Sequence, residues 1–174
     1  MTVVWINGPV GAGKTAVGRA LAALSPSAQF IDGDDHAGPG GGPARIRWRR
    51  AMDVLIGMAR WCRGVGTLVV AYPLDRLGHQ RLMAACTRAH RPLVVVNLAT
   101  PLFLVLRIRG ERVLTRAEQA RARVMHSKGY DRRPFATFSH RNLRPQAART
   151  ARDIEGRIRA VAHQPGPFLT GPAG

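Results

Sequence analysis

The chain has 174 residues, and its 27 lysines and arginines against 10 acidic residues give a formal net charge of +17. That length suits one domain, and an apolar content of 45% supplies a core, so disorder throughout is excluded. Cys62 and Cys86 form no CxxC pair and have no histidine at ligand spacing, which argues against a zinc site or a disulfide framework. No apolar run approaches the roughly 20 residues that cross a bilayer.

The opening MTVVWINGP lacks the basic start and long apolar segment of a secretory signal, so the expected location is the cytoplasm, with no membrane contact. Only Lys14 and Lys128 are lysine; arginine supplies the remaining cations, a bias that a GC-rich genome also produces. The arginines group locally at Arg45, Arg47, Arg49 and Arg50, at Arg107, Arg109 and Arg112, and at Arg132 and Arg133. Charge of this size implies an anionic partner. Aromatics at 6% offer little for base stacking, so nucleic acid is the less favoured one.

In chain order, residues 3–7 are a short β-branched strand that ends in GPVGAGKT. Val17, Leu21 and Leu24 then recur at helical spacing until Ser25-Pro26. A second strand ends at Gln29-Phe30-Ile31 and runs into Asp32-Gly-Asp-Asp. Residues 36–43 are too rich in Gly and Pro for regular structure. A long helix is expected from Ala44 to about Arg63, closed by Gly64-Val-Gly66. A buried strand follows over 67–72, then a turn at Pro73-Leu74-Asp75 and a helix over about 75–89, with Asp75 as its N-cap. The uniformly apolar run 93–98 reads as a parallel strand buried on both faces.

Thr100-Pro101 gives an N-cap followed by proline in the first helical position, for a helix that fails near Gly110. Thr115 and Glu118 form a capping box for a helix to about Ser127. Residues 129–143 read as loop with one extended piece around Phe135 to Phe138. A last helix opened by Pro145 carries Ala148, Ile154, Ile158 and Val161, and the tail 164–174 is expected to fray. Strands alternating with helices predict a three-layer α/β domain with a parallel sheet, covering residues 1–163.

The segment from Gly8 to Thr15 matches GxxxxGK[ST] between a strand and a helix, the context the motif requires. Glycines at 8, 11 and 13 let the backbone wrap a polyphosphate so that N–H groups of the loop, Ala12 and Ala16 included, point inward at the positive end of the helix. Lys14 reaches the β and γ phosphates, and the Thr15 hydroxyl is placed to ligate Mg²⁺. A chance match in a glycine-rich chain is the bland alternative. No strand ends in aliphatics plus Asp, and no NKxD tetrapeptide occurs, so a switch GTPase is disfavoured.

Ten acidic residues make the search for a base and a metal ligand nearly exhaustive. Asp53, Glu118, Asp153 and Glu155 fall inside helices, Glu111 and Asp131 sit among arginines, and Asp75 is a cap. Asp32, Asp34 and Asp35 remain, at the carboxyl end of a strand, where ligands bind in open α/β sheets. Alternation in an extended segment points Asp32 and Asp34 the same way and turns Asp35 aside. Asp34 is assigned as the base that takes the acceptor's hydroxyl proton, and Asp32 as the metal-side ligand, directly or through water. An Asp-rich turn in which one carboxylate merely caps the next residues is the competing reading.

GPVGAGKT, FIDGDD and the arginine-bearing LRIRGER segment together resemble the small P-loop kinases of the shikimate and gluconate kinase group, over most of residues 1–163. MHSKGYDRRPF is more similar to antibiotic phosphotransferases built on the same plan, such as the chloramphenicol phosphotransferase and tunicamycin-resistance types, and the resemblance extends to phosphotransferases of capuramycin-type nucleoside antibiotics. The resemblance implies about five parallel strands, an arginine lid over about 107–133, Mg²⁺, and ATP or GTP as donor. By position Arg107, Arg109 and Arg112 match the lid, with Arg109 and Arg112 on the transferring phosphoryl group and Arg107, with the loop around Asn142, toward the base of the nucleotide. It also implies a small hydroxyl-bearing acceptor, for which Asp34, Asp35, Arg45, Arg47 and Trp48 are the candidates, with Trp61 paired to Trp48. Three functions follow: a phosphotransferase acting on an antibiotic or a metabolic acid, a nucleic-acid-binding P-loop protein, and a protein that sequesters an antibiotic without turnover.

Overall fold

The computed structural model describes residues 1–38, 43–107, 113–143 and 146–162. Five strands, β1 (Thr2–Asn7), β2 (Ala28–Asp32), β3 (Thr67–Ala71), β4 (Leu93–Ala99) and β5 (Phe138–Arg141), form one sheet in the order β2-β3-β1-β4-β5. All pairings are parallel; Val4 of β1 lies between Val69 of β3 and Val94 of β4. Because β3 and β4 flank β1 on opposite sides, the topological switch falls at the carboxyl end of β1, where the glycine loop begins.

Helices α1 (Lys14–Ala22), α2 (Ala44–Trp61), α3 (Arg76–Arg88), α4 (Leu102–Leu106), α5 (Arg116–Ser127) and α6 (Ala147–Ala162) complete the fold. Period-two alternation splits the sheet between two cores. Val3 and Trp5 of β1 face Met52, Leu55 and Ala59 of α2 and Leu82 and Cys86 of α3. Val4 and Ile6 face Val17 and Leu21 of α1 and Ala151 and Ile154 of α6. The central strands β1, β3 and β4 are apolar on both faces because both are covered, as the uniform runs at 3–7 and 93–98 require, whereas the edge strands β2 and β5 are only partly buried.

The local start signals behave as their chemistry dictates. The Asp75 carboxylate accepts from Gly78 N–H at 2.7 Å and caps α3. Thr115 and Glu118 complete the reciprocal capping box of α5. Thr100 does not cap α4: Pro101 holds that position, and the Thr100 hydroxyl donates to the Ala12 carbonyl 3.2 Å away. The α4 helix stops at Leu106, with Arg107 extended, short of the expected break at Gly110.

The fifth strand also lies three residues later than its sequence pattern suggests. Thr137 is pinned to β4 on both sides, its N–H donating to Val95 O and its Oγ1 accepting from Val95 N–H. Phe135 is drawn off instead to stack on the His79 ring, centroid to centroid 4.4 Å. The expectations for Pro145, for residues 39–42 of the 36–43 segment and for the tail fall on or run into positions outside the described residues. Among the described residues no helix is long and apolar enough to cross a membrane.

Candidate active site

At the switch point the glycine loop turns sharply on left-handed backbone. Gly11 and Gly13 have φ of 76° and 89°, and a β-carbon on Gly11 would lie 2.8 Å from Val105 Cγ1. Gly13 immediately precedes α1, so the helix opens with Lys14, Thr15 and Ala16 and their unpaired N–H groups. Gly8 and Ala12 are buried and form the floor of the loop. Above it lies a cleft of about 350 Å³. Gly11, Gly13, Lys14, Thr15, Ala16, Asp34 and Arg107 line it together, although Asp34 comes from the turn after β2 and Arg107 from the end of α4.

Lys14 Nζ donates to the Pro9 carbonyl of its own loop at 2.9 Å. Burial lowers its ammonium from 10.5 to about 8, against the pull of the Asp34 and Asp32 carboxylates and with a further downward push from Arg121. That coupling places both carboxylates within electrostatic reach of the lysine, and their negative potential suits a cation. The same burial, aided by Asp34, raises the Tyr72 phenol from 10.0 to about 12, opposed by Arg121 and Arg47.

The carboxylates are not arranged by alternation. The strand ends at Asp32, and Gly33–His36 form a 3-10 turn in which Asp34 and Asp35 are both exposed. Asp32 caps this turn, accepting from Asp34 N–H at 3.1 Å. Gly33 is the physical reason: it is tucked so closely under Tyr72 that a β-carbon would fall 2.3 Å from the ring. Capping and proximity to the loop therefore coexist in Asp32, which does not itself line the cleft, whereas Asp34 does.

Asp35, Arg45, Arg47 and Trp48 stand outside the cleft lining. Arg47 is close enough to Tyr72 to lower its phenol, Arg45 is exposed at the start of α2, and Trp48 packs partly buried against the core beneath α2. Trp61 is not paired with Trp48. Thirteen residues of helix separate them by about 20 Å along the axis, and Trp61 is 63% exposed beneath the Arg60 guanidinium. Arg107 lies 5.9 Å over the Phe103 ring at the cleft edge. Arg109 and Arg112 lie outside the described residues.

Three contributors escaped the sequence reading. Arg121 of α5 lines the cleft and acts on Lys14 and Tyr72. Its signal was its position one helical turn after Glu118, which lines the cleft as well as serving the capping box. Asn7 and Asn97, both fully buried at the ends of β1 and β4, bond side chain to side chain. Asn7 also accepts from Leu74 N–H at 2.8 Å and donates to Tyr130 O at 3.3 Å, tying the 73–75 turn and the 129–133 segment to the strand that launches the glycine loop. Asn142, expected toward the base of the nucleotide, is instead buried and faces the underside of that loop.

The sequence matches no family model and no curated protein. The fold does have solved counterparts. A shikimate kinase from Acinetobacter baumannii in complex with shikimate superposes with a TM-score of 0.68 at 22% identity, covering 94% of this chain and 96% of that one. A gluconokinase from Sinorhizobium meliloti gives 0.70 at 17%, covering 95% and 98%. The tunicamycin resistance protein of Deinococcus radiodurans gives 0.55 at 20%, covering 90% and 95%. At these identities the likeness establishes a shared five-stranded α/β fold.

Proposed function

We propose that this chain is a nucleoside-triphosphate-dependent phosphotransferase that phosphorylates a hydroxyl group of a small molecule, with residues 1–163 as its single catalytic unit. The observation that carries this reading is the meeting, in one cleft, of the Lys14–Thr15 helix start and the Asp34 carboxylate. The left-handed glycine loop and the amino end of α1 bind the donor's phosphates, and Lys14 neutralises them. Thr15 and Asp32, the latter directly or through water, are the hard oxygen donors assigned to magnesium alongside phosphate oxygens; bound there, the ion would offset charge on the transferring group.

Asp34 orients the acceptor hydroxyl and takes its proton as the oxygen attacks the γ-phosphorus. The bond from that phosphorus to the bridging oxygen breaks, and a nucleoside diphosphate leaves. Arg107 holds the donor at the cleft edge, and Arg109 and Arg112 are assigned to the transferring phosphoryl group, in a lid over about 107–133. The acceptor is assigned to the side of the 33–36 turn and α2, which carry Asp35, Arg45, Arg47 and Trp48, with Arg47 close enough to act on Tyr72.

We favour an antibiotic as acceptor, a reading supported by the motif resemblance of the 125–135 segment and by the tunicamycin resistance protein among the solved counterparts. A metabolic acid is the second reading, since the shikimate kinase and the gluconokinase superpose with higher TM-scores. Incubation with γ-labelled ATP or GTP, Mg²⁺ and a panel of shikimate, gluconate, nucleosides and hydroxylated antibiotics tests both. The expected result is one product heavier by a phosphoryl group, formed about 10²–10⁴-fold more slowly by Asp34→Asn with donor binding retained. Undiminished transfer by Asp34→Asn would remove Asp34 from its role. Antibiotic binding without any phosphorylated product would favour sequestration.

A further inference from the structure

The carbonyl of Ala12, in the middle of the glycine loop, is held by two side chains from distant parts of the chain. Thr100, the first residue beyond β4, donates its hydroxyl to that oxygen at 3.2 Å. Asn142, the first residue beyond β5, donates Nδ2 to the same oxygen at 2.8 Å. All three residues are buried, at 0%, 1% and 5% exposure for Ala12, Thr100 and Asn142, so water does not replace either bond. The orientation of the Asn142 amide is itself fixed: its Oδ1 accepts from the Thr150 hydroxyl of α6 at 3.4 Å, leaving the NH₂ end for the loop.

In a trans peptide the C=O and the following N–H point in opposite directions. An Ala12 carbonyl held inward therefore turns the Gly13 N–H outward, to the side on which Gly13 lines the cleft. The alternative orientation is open to this loop, because Gly13 sits at φ 89°, where glycine moves freely between backbone regions. Rotating that one peptide unit would aim a carbonyl oxygen at bound phosphate in place of an N–H. Two donors on one oxygen also draw electron density toward it and strengthen the N–H on the far side.

We propose that Thr100 and Asn142 are positioning residues that lock the Ala12–Gly13 peptide with its N–H toward the donor's polyphosphate. The proposal rests on the reading of the cleft as a phosphate site. It assigns to the carboxyl ends of β4 and β5 a share of donor affinity that no direct contact with the nucleotide accounts for. The effect is specific to phosphates, since the Gly13 N–H addresses the loop's concavity and not a base.

Calorimetric titration of the full chain with magnesium-ATP and with magnesium tripolyphosphate tests it. Thr100→Val, which keeps the shape and removes the donor, is expected to weaken both ligands by the same factor, roughly fivefold. Thr100→Ser, which returns a hydroxyl, should restore most of that loss. Asn142→Asp, which presents an acceptor to the Ala12 oxygen, should weaken both ligands more strongly, and serves if Thr100→Val does not fold by thermal melting. Unchanged affinity in a folded Thr100→Val or Asn142→Asp, failure of Thr100→Ser to rescue, or a loss confined to ATP would overturn the proposal. Binding of neither ligand by the unaltered chain would instead overturn the phosphate-site reading beneath it.

Discussion

Lys14 should make donor binding consume protons, with a pH dependence set by its burial. In the unliganded protein its ammonium titrates at about 8. A polyphosphate closing on it raises that value, so the lysine is protonated in the complex across the range where it is partly neutral without ligand. The free protein then lacks, and the complex takes up, ~0.1 proton at pH 7, ~0.5 at pH 8 and ~0.9 at pH 9. Affinity falls in the same direction, by about tenfold between pH 7 and pH 9, because at high pH binding must first recharge the lysine. The assay is calorimetry of magnesium-ATP at pH 8 and above, where the ligand is already fully ionised, in pairs of buffers with different ionisation enthalpies. Lys14→Arg keeps a charge that does not titrate in this range, so whatever binding it retains should show no uptake. Arg121 lowers the proton affinity of Lys14, so Arg121→Ala should move the uptake curve to higher pH. Uptake that is equal at pH 8 and pH 9, or that persists in Lys14→Arg, would refute this account of the lysine.

Two substitutions test the framework that holds the site. Gly33→Ala places a methyl 2.3 Å from the ring of Tyr72, which is only 3% exposed and cannot swing into solvent; a cost of about 1–3 kcal/mol is expected, read as a fall of several degrees in melting temperature together with weaker donor binding as the Asp34 turn shifts. A melting temperature equal to that of the unaltered chain would show that the turn is not packed as described. Thr115→Ala deletes half of the α5 capping box and should cost about 1 kcal/mol, or ~2–4 °C in a thermal melt. Thr115→Ser should recover most of it, and failure to do so would assign the loss to packing of the threonine methyl.

What was legible in the sequence was whatever depends on near neighbours. Asp75 and Thr115 cap helices because a cap needs only its own next three residues, and the apolar runs of β1 and β4 announce burial on both faces without reference to their partners. The misread residues answer to distant demands. Thr100 before Pro101 has the local form of an N-cap, yet its hydroxyl goes to an oxygen 88 positions earlier in the chain, and Asn142 spans 130 to reach the same atom. Those bonds exist because the order β1-β4-β5 sets the ends of β4 and β5 beside the loop that leaves β1. The aspartate triad failed in a related way: alternation assumed extended chain through Asp34, but Gly33 fits beneath Tyr72 and Asp32 caps the turn it makes.

The scarcity of acids pointed to one short segment, and the structure separates its members by what each carboxylate already does. Asp32 is engaged with the backbone of the turn, while Asp34 is exposed to the cleft beside Lys14. A residue that must exchange a proton during turnover needs an uncommitted oxygen facing the reactants, and a residue that holds the turn does not. The proposed division of labour between Asp34 and Asp32 therefore rests on hydrogen bonding. It predicts that Asp32→Asn, which keeps an acceptor for the Asp34 N–H, should preserve more transfer than Asp34→Asn; the reverse order in a direct rate comparison would exchange their roles.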